Sequence, residues 1–254
     1  MADPVRVLGV IPARYRSTRL PGKALVPVCG RPLIAWVLER ATASRRLDRV
    51  VVATDDSRIR EAVEALGGRA EMTDPAHPSG TDRVAEVAAR HGGDVVVNIQ
   101  GDEALIEPAL IDRVADALLE DLTWDMSTAA TPFRSAEDFA APSNVKVVSD
   151  QDGAALYFSR APIPFDRDGR GFDACAPLYR HHVGIYGYRT AFLQQLVRTP
   201  PSPLEELEQL EQLRALHIGC RMKVVHASEP AIGLDTPEEL PKVEAELRAR
   251  GFAG

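Results

Sequence analysis

Three short apolar stretches, rich in β-branched residues and separated by segments of helical spacing, constrain this chain more than any other feature. They run from Val5 to Ile11, from Val50 to Thr54 and from Asp94 to Ile99. Between them, Leu33 to Ala41 carries apolar residues at helical spacing. Ser57 stands where it could cap a second helix that Gly67-Gly68 would stop, and Thr81 to Arg90 has the pattern of a third. A continuously apolar strand is one buried on both faces. Strand–helix–strand repetition then predicts an α/β fold with a mostly parallel sheet and crossover helices. In such sheets ligands sit beyond the carboxyl ends of the strands. That singles out the loop after Ile11, the turn Thr54-Asp55-Asp56 and the turn Gln100-Gly101-Asp102.

The pattern changes after about residue 124. Met126 to Thr131, Val145 to Ser149, Ala154 to Phe158 and His182 to Tyr188 read as short strands separated by turn formers such as Asp152-Gly153. They predict a smaller lobe of mixed or antiparallel sheet at about 124–200, within a single domain spanning 1–254. Leu204 to Leu216 reads as one helix, with leucines at 204, 207, 210, 213 and 216. Thr236-Pro237-Glu238-Glu239 opens a last helix, with Thr as cap, Pro in the first turn and two early acids.

Charge and composition narrow the partners. A net charge of −7 argues against a general nucleic-acid binder, which needs a basic face. No apolar run approaches the roughly 18 residues of a membrane span. The start, Met1-Ala2-Asp3-Pro4, lacks the pattern of a signal peptide. Cys29, Cys175 and Cys220 form no CxxC pair, which excludes a zinc site of the usual spacing and fits free thiols in a reducing compartment. The expected location is the cytoplasm.

Arg14, Arg16, Arg19 and Lys23 crowd the loop after the first strand, with Pro12, Pro21 and Gly22 among them. Such a cluster suits a polyanion such as a triphosphate; it equally suits a solvated basic loop. Neither a Walker A loop nor GxGxxG is present, so a phosphate site here would use cationic side chains. Asp102, just past an apolar strand, suits either a Mg²⁺ ligand or the cap of the next helix. Asp235 has the same two readings, with Thr236 competing for the cap. His181-His182 opens a strand, where at most one ring faces a given side; a satisfied structural histidine is the plain alternative. Ser79-Gly80-Thr81-Asp82-Arg83 offers a helix N-terminus with backbone donors.

Taken together and in order, several stretches resemble the 3-deoxy-manno-octulosonate (Kdo) cytidylyltransferases. They are Ile11 to Lys23, Ser79 to Arg83, Asn98 to Glu103, Tyr157 to Arg160, His182 to Tyr188, Leu210 to Arg214 and Gly233 to Pro237. The resemblance implies a three-layer nucleotidyltransferase fold, Rossmann-like, with the smaller lobe forming a homodimer and contributing to sugar binding. It implies transfer of CMP from CTP to Kdo for lipopolysaccharide biosynthesis, with Mg²⁺ as cofactor. By position it assigns Arg14, Arg19 and Lys23 to the triphosphate, and Pro12, Ala13, Ser79, Gly80, Arg83 and Gln100 to the nucleotide. Asp102 and Asp235 fall to the metal. Arg19, Gln100, Arg160, His182, Tyr186, Glu211 and Gln212 fall to the sugar acid, whose carboxylate Arg160 and His182 would meet. Arg14, Arg19, Lys23, Asp102 and Asp235 are the expected catalytic set. Ala104 stands where the family usually has Pro, freeing the loop and adding an N–H. Two other readings compete: a cytidylyltransferase for 8-amino-Kdo or a sialic acid, and a nucleotide-binding regulator on the same fold without catalysis.

Overall fold

Residue alternation along the first strand sets the layering. In the computed structural model, which describes residues 6–16, 20–229 and 232–252, β1 (Val7–Ala13) sends Val7, Ile11 and Ala13 into one apolar core and Leu8 and Val10 into another. Both faces are therefore covered, as the continuous apolar run requires. A short hairpin of β2 (Pro27–Val28) and β3 (Arg31–Pro32) leads into α1 (Leu33–Thr42). Then follow β4 (Arg49–Thr54), α2 (Ser57–Ala65), β5 (Ala70–Met72), α3 (Gly80–His91), β6 (Val95–Asn98) and α4 (Pro108–Glu120). Apolar residues of α1, α2 and α4 fill the first core, and those of α3 fill the second. The cap of α2 is Asp56, whose carboxylate accepts from Arg58 N at 3.0 Å, one residue before the expected Ser57.

The second half supplies β7 (Met126–Pro132), α5 (Ala136–Ala140), β8 (Lys146–Ser149), β9 (Ala155–Ser159), α6 (Phe172–Cys175), β10 (Arg180–Arg189) and α7 (Thr190–Leu196). After α8 (Pro203–Glu208) and α9 (Gln212–His217) come β11 (Met222–His226) and α10 (Leu240–Ala249). The central sheet has the order β11-β7-β10-β6-β1-β4-β5. β1 runs parallel to β4 and β6, β4 to β5, and β7 to β11, whereas β10 is antiparallel to both its neighbours. Two strands of the segment at 124–200 thus lie in the central sheet itself; β8 and β9 extend from it through the pairing of His181 with Lys146.

β10 is longer than β6. Its Tyr186 pairs with Asn98, the last residue of β6, so Arg180 to Ile185 overhang the carboxyl end of that strand. A bulge between Val183 and Tyr186 shifts the overhang's register against β7.

The expected helix from Leu204 to Leu216 is two helices with an elbow. Gln209 adopts a left-handed conformation (φ +53°), which ends α8. Leucines every three residues rotate backwards by about 60° per step around an α-helix, so five of them share no face. Leu207 is left 82% exposed while Leu213 is fully buried. Arg214 of α9 clamps the elbow with a two-pronged bond to Glu205 of α8 (Nη2–Oε1 2.5 Å, Nε–Oε2 2.8 Å).

Candidate active site

Beyond the carboxyl ends of β1 and β6 lie two adjoining cavities. The first, about 340 Å³, is lined by Pro12, Ala13, Arg14, Arg16, Lys23, Gly80, Gln100, Gly101, Asp102 and Asp235. The second, about 410 Å³, is lined by Gln100, Asp102, Glu103, His181, His182, Gly184, Tyr186, Glu211 and Gln212, together with Gly80 and Thr81. Gly80, Gln100 and Asp102 border both.

The loop after β1 is folded back by Gly22, whose φ of +70° is cheap only for glycine and whose N–H donates to the Tyr15 carbonyl at 2.8 Å. Lys23 follows at once. Its ammonium donates to Asp102 Oδ2 at 2.5 Å and to Asp235 Oδ1 at 3.0 Å. Burial works against this charge, but Asp102 first and Asp235 next outweigh it, and the Lys23 pKa lies above its ordinary value. Arg14 and Arg16 line the same cavity from the exposed side. Arg19 lies outside the described residues.

Asp102 is not a helix cap; the residue before α4 is Glu107. Gly101 is needed for close approach: a Cβ there would lie 2.7 Å from the Pro12 carbonyl oxygen. The N–H that Ala104 adds donates to the Asp102 carbonyl at 3.1 Å, a bond a proline could not make. Thr236 takes the cap before α10 in a reciprocal arrangement with Glu239, and this leaves the Asp235 carboxylate to Lys23. Two carboxylates from distant loops that share one cation fit Mg²⁺, a hard ion that takes one or two carboxylates and completes its shell with phosphate oxygens and water. Among the described residues no group of three or more acidic, histidine or cysteine ligands forms a complete metal cage.

On the sugar side, His182 is 8% exposed. Thr128 Oγ1 donates to the Ile185 carbonyl at 2.8 Å, so His182 Nε2–H donates to Thr128 Oγ1 at 2.9 Å, a tautomer that follows from this network. Burial, and then the neighbouring His181, push the His182 pKa down to about 3, so the ring is neutral. His181 also borders the cavity, its ring stacked on Phe133 with centroids 4.9 Å apart, so both histidines of the pair reach one cavity. Tyr186 keeps its proton, burial having raised its pKa far above the ordinary value. Glu211 and Gln212 arrive on the elbow between α8 and α9.

Three expected contacts lie elsewhere. Arg83 is fully buried, bonded to Thr73 Oγ1 and to Asp55 Oδ2 at 3.1 Å. Asp55 in turn accepts from Tyr15 N at 3.3 Å, so Arg83 acts as a strut beneath the loop after β1. Arg160 lines neither cavity: Nε donates to the Glu208 carbonyl at 2.8 Å, and the other guanidinium nitrogens donate to the Pro142 and Gln209 carbonyls. It braces the elbow. Ser79 is the cap of α3, accepting from Thr81 N at 3.1 Å and Asp82 N at 3.3 Å, and Gly80 rather than Ser79 lines the cavities. Glu103, which the sequence did not single out, borders the second cavity with Oε2 buried and unbonded. Burial, then Asp102 and Asp235, push its pKa up to about 8.

Residues 8–224 match the protein family described as Cytidylyltransferase. The chain is 48% identical over 250 residues to the 3-deoxy-manno-octulosonate cytidylyltransferase of Geobacter sulfurreducens, covering 96% of this chain and 100% of that protein. It is 49% identical over 244 residues to the protein of the same name from Aliivibrio fischeri, covering 94% of this chain and 97% of that one. The fold matches the structure of CMP:2-keto-3-deoxy-manno-octonic acid synthetase complexed with CTP, with a TM-score of 0.91 and 41% identity over 96% of this chain and 99% of that one.

Proposed function

This chain belongs to the cytidylyltransferase family, and on that premise we propose that it transfers CMP from CTP to the anomeric hydroxyl of Kdo, releasing pyrophosphate. The observation that carries this reading is the convergence of Lys23, Asp102 and Asp235 in the wall of one cavity that adjoins a second lined by neutral donors and the carboxyl groups of Asp102, Glu103 and Glu211. The first cavity suits a triphosphate and the second an acid sugar.

In this reaction the sugar hydroxyl attacks the α-phosphorus and pyrophosphate leaves in line. Such transfer asks the protein for positioning and charge neutralisation more than for covalent help. Lys23, Arg14 and Arg16 place positive charge along the phosphates. The N-terminus of α3, capped by Ser79, presents backbone donors through Gly80 at the junction of the two cavities. Asp102 and Asp235 would hold Mg²⁺. When bound, that ion neutralises phosphate charge and lowers the pKa of a coordinated hydroxyl.

His182, neutral and with Nε2–H already given to Thr128, offers only Nδ1 as an acceptor, which suits a sugar hydroxyl rather than a carboxylate. The acid group of the substrate is received by the amides of Gln100 and Gln212 and the hydroxyl of Tyr186. A homodimer is proposed through the lobe, supported by the exposed apolar side chains Leu156, Phe165 and Leu178 within it. Free cysteines, the absence among described residues of any helix long and apolar enough to cross a membrane, and a nucleotide substrate support a cytoplasmic location. We place the product in lipopolysaccharide assembly.

Pyrophosphate release with CTP and a panel of acid sugars tests the proposal. Turnover with Kdo above 8-amino-Kdo and sialic acid is the expected result. Turnover with another sugar alone would overturn the Kdo assignment and leave the cytidylyl transfer standing. CTP binding without turnover of any sugar would make the chain a nucleotide-binding regulator.

A further inference from the structure

The two cavities meet at the first turn of α3, where Gly80 borders both and Thr81 borders the sugar side. Threonine at a helix start usually serves the cap, but Ser79 fills that role, accepting from the Thr81 and Asp82 N–H groups. The Thr81 hydroxyl is spent instead on a partner 130 residues away: it donates to Glu211 Oε1. Thr81 is itself only 7% exposed, so this bond is shielded from water. Glu211 stands at the elbow between α8 and α9, whose backbone is fixed by the Arg214–Glu205 clamp. The clamp sets where the Glu211 backbone lies. It does not set the rotamer of a long side chain, whose freedom binding would otherwise have to remove.

We propose that Thr81 is a positioning residue for the acceptor sugar, its hydroxyl holding one oxygen of the Glu211 carboxylate against the first turn of α3. The sugar wall is thereby kept in register with the helix end that also borders the phosphates. This rests on the assignment of the second cavity to an acid sugar.

The test is a double-mutant cycle of T81V and E211M, which keeps the length of the side chain but removes its acceptor oxygens, with T81S as the conservative variant, read as separate KM values for Kdo and CTP and as kcat. A charge-assisted hydrogen bond of ordinary strength is worth about tenfold. T81V is expected to raise the KM for Kdo by about that factor and to leave the KM for CTP within about twofold. T81S should restore the wild-type value, and T81V should add nothing in the E211M background. Should T81V fail to fold, T81A takes its place in the cycle. An unchanged KM for Kdo overturns the proposal; so does a T81S as impaired as T81V, or an undiminished T81V effect on E211M. If the wild type uses a different acid sugar, the Kdo assignment fails by itself and the same comparison is decided on the KM for that sugar. If no acid sugar is used, both fall.

Discussion

Lys23 joins two aspartates that lie 79 and 212 residues from it along the chain. The carboxylates are 23% and 38% exposed, so the ion pairs add at most about 1 kcal/mol to stability. Under the proposed function their negative charge matters far more, for it would hold the Mg²⁺ that neutralises phosphate charge. Asp102→Asn and Asp235→Asn are therefore expected to lower kcat by about a hundredfold or more, while shifting Tm by only about 2–4 °C. Pyrophosphate-release kinetics and thermal melts check this; near-wild-type turnover at saturating Mg²⁺ would remove both residues from the reaction. His182 gives a pH prediction. Its folded pKa, about 3, lies below the ordinary 6.5, so the unfolded chain binds a proton that the native one refuses. Its contribution to stability is present above 6.5 and is lost as pH falls from there towards 3. His182→Asn should flatten the wild type's loss of stability across that window, measured by urea unfolding at several pH values; an unchanged slope would show that the ring is not held neutral. The places of Lys23 and Asp102, which meet at one cavity, were legible from the strand ends that precede them. Arg83 and Arg160 were not, because the direction a cation takes depends on Asp55, Thr73 and the Glu208 carbonyl, all remote in sequence. Glu103 gave no signal beyond the apolar Ala104-Leu105-Ile106 that follow it in sequence.

Among elements, the strands were the most readable, since burial on both faces forces unbroken apolar runs such as Val95 to Ile99. The helix from Leu204 to Leu216 was misread because leucine content was taken for periodicity; a three-residue step is not an α-helical stripe, and Gln209 breaks it. That break has a use, for it delivers Glu211 and Gln212 to the cavity, which a straight helix would have carried past. The turn after β6 depends on its glycine in a different way. A methyl group at Gly101 would sit 2.7 Å from a backbone oxygen of β1, and neither strand can yield cheaply. Gly101→Ala is expected to cost about 1–3 kcal/mol and to raise the KM for CTP, because the displaced loop carries Asp102. Melting temperature and CTP kinetics together check this, and a variant unchanged in both would show that the approach is not tight.

At the level of the whole molecule, the α/β architecture with its mostly parallel sheet followed from the alternation of runs, but the place of β10 did not. Its residues read as a half-buried strand whichever neighbours it has, and only the register of Tyr186 against Asn98 and of Tyr188 against Met126 puts it inside the central sheet. The exposed apolar residues of the lobe bear on assembly. Phe165, 84% exposed, is the largest of them. Phe165→Asp is expected to convert a dimer into a monomer, read by light scattering after size exclusion, with Tm checked to show that the fold persists; a wild type that is already monomeric would end the dimer proposal. The overhang of β10 past β6 carries a consequence for how such proteins diversify. His182 and Tyr186 reach the second cavity, proposed for the acceptor, from one reversed strand, and Glu211 and Gln212 from one bend, whereas the first cavity, proposed for the phosphates, is lined from the parallel strands' own loops. A lineage could retool for a new acceptor by rewriting that single strip and bend, with the donor-handling machinery inherited untouched.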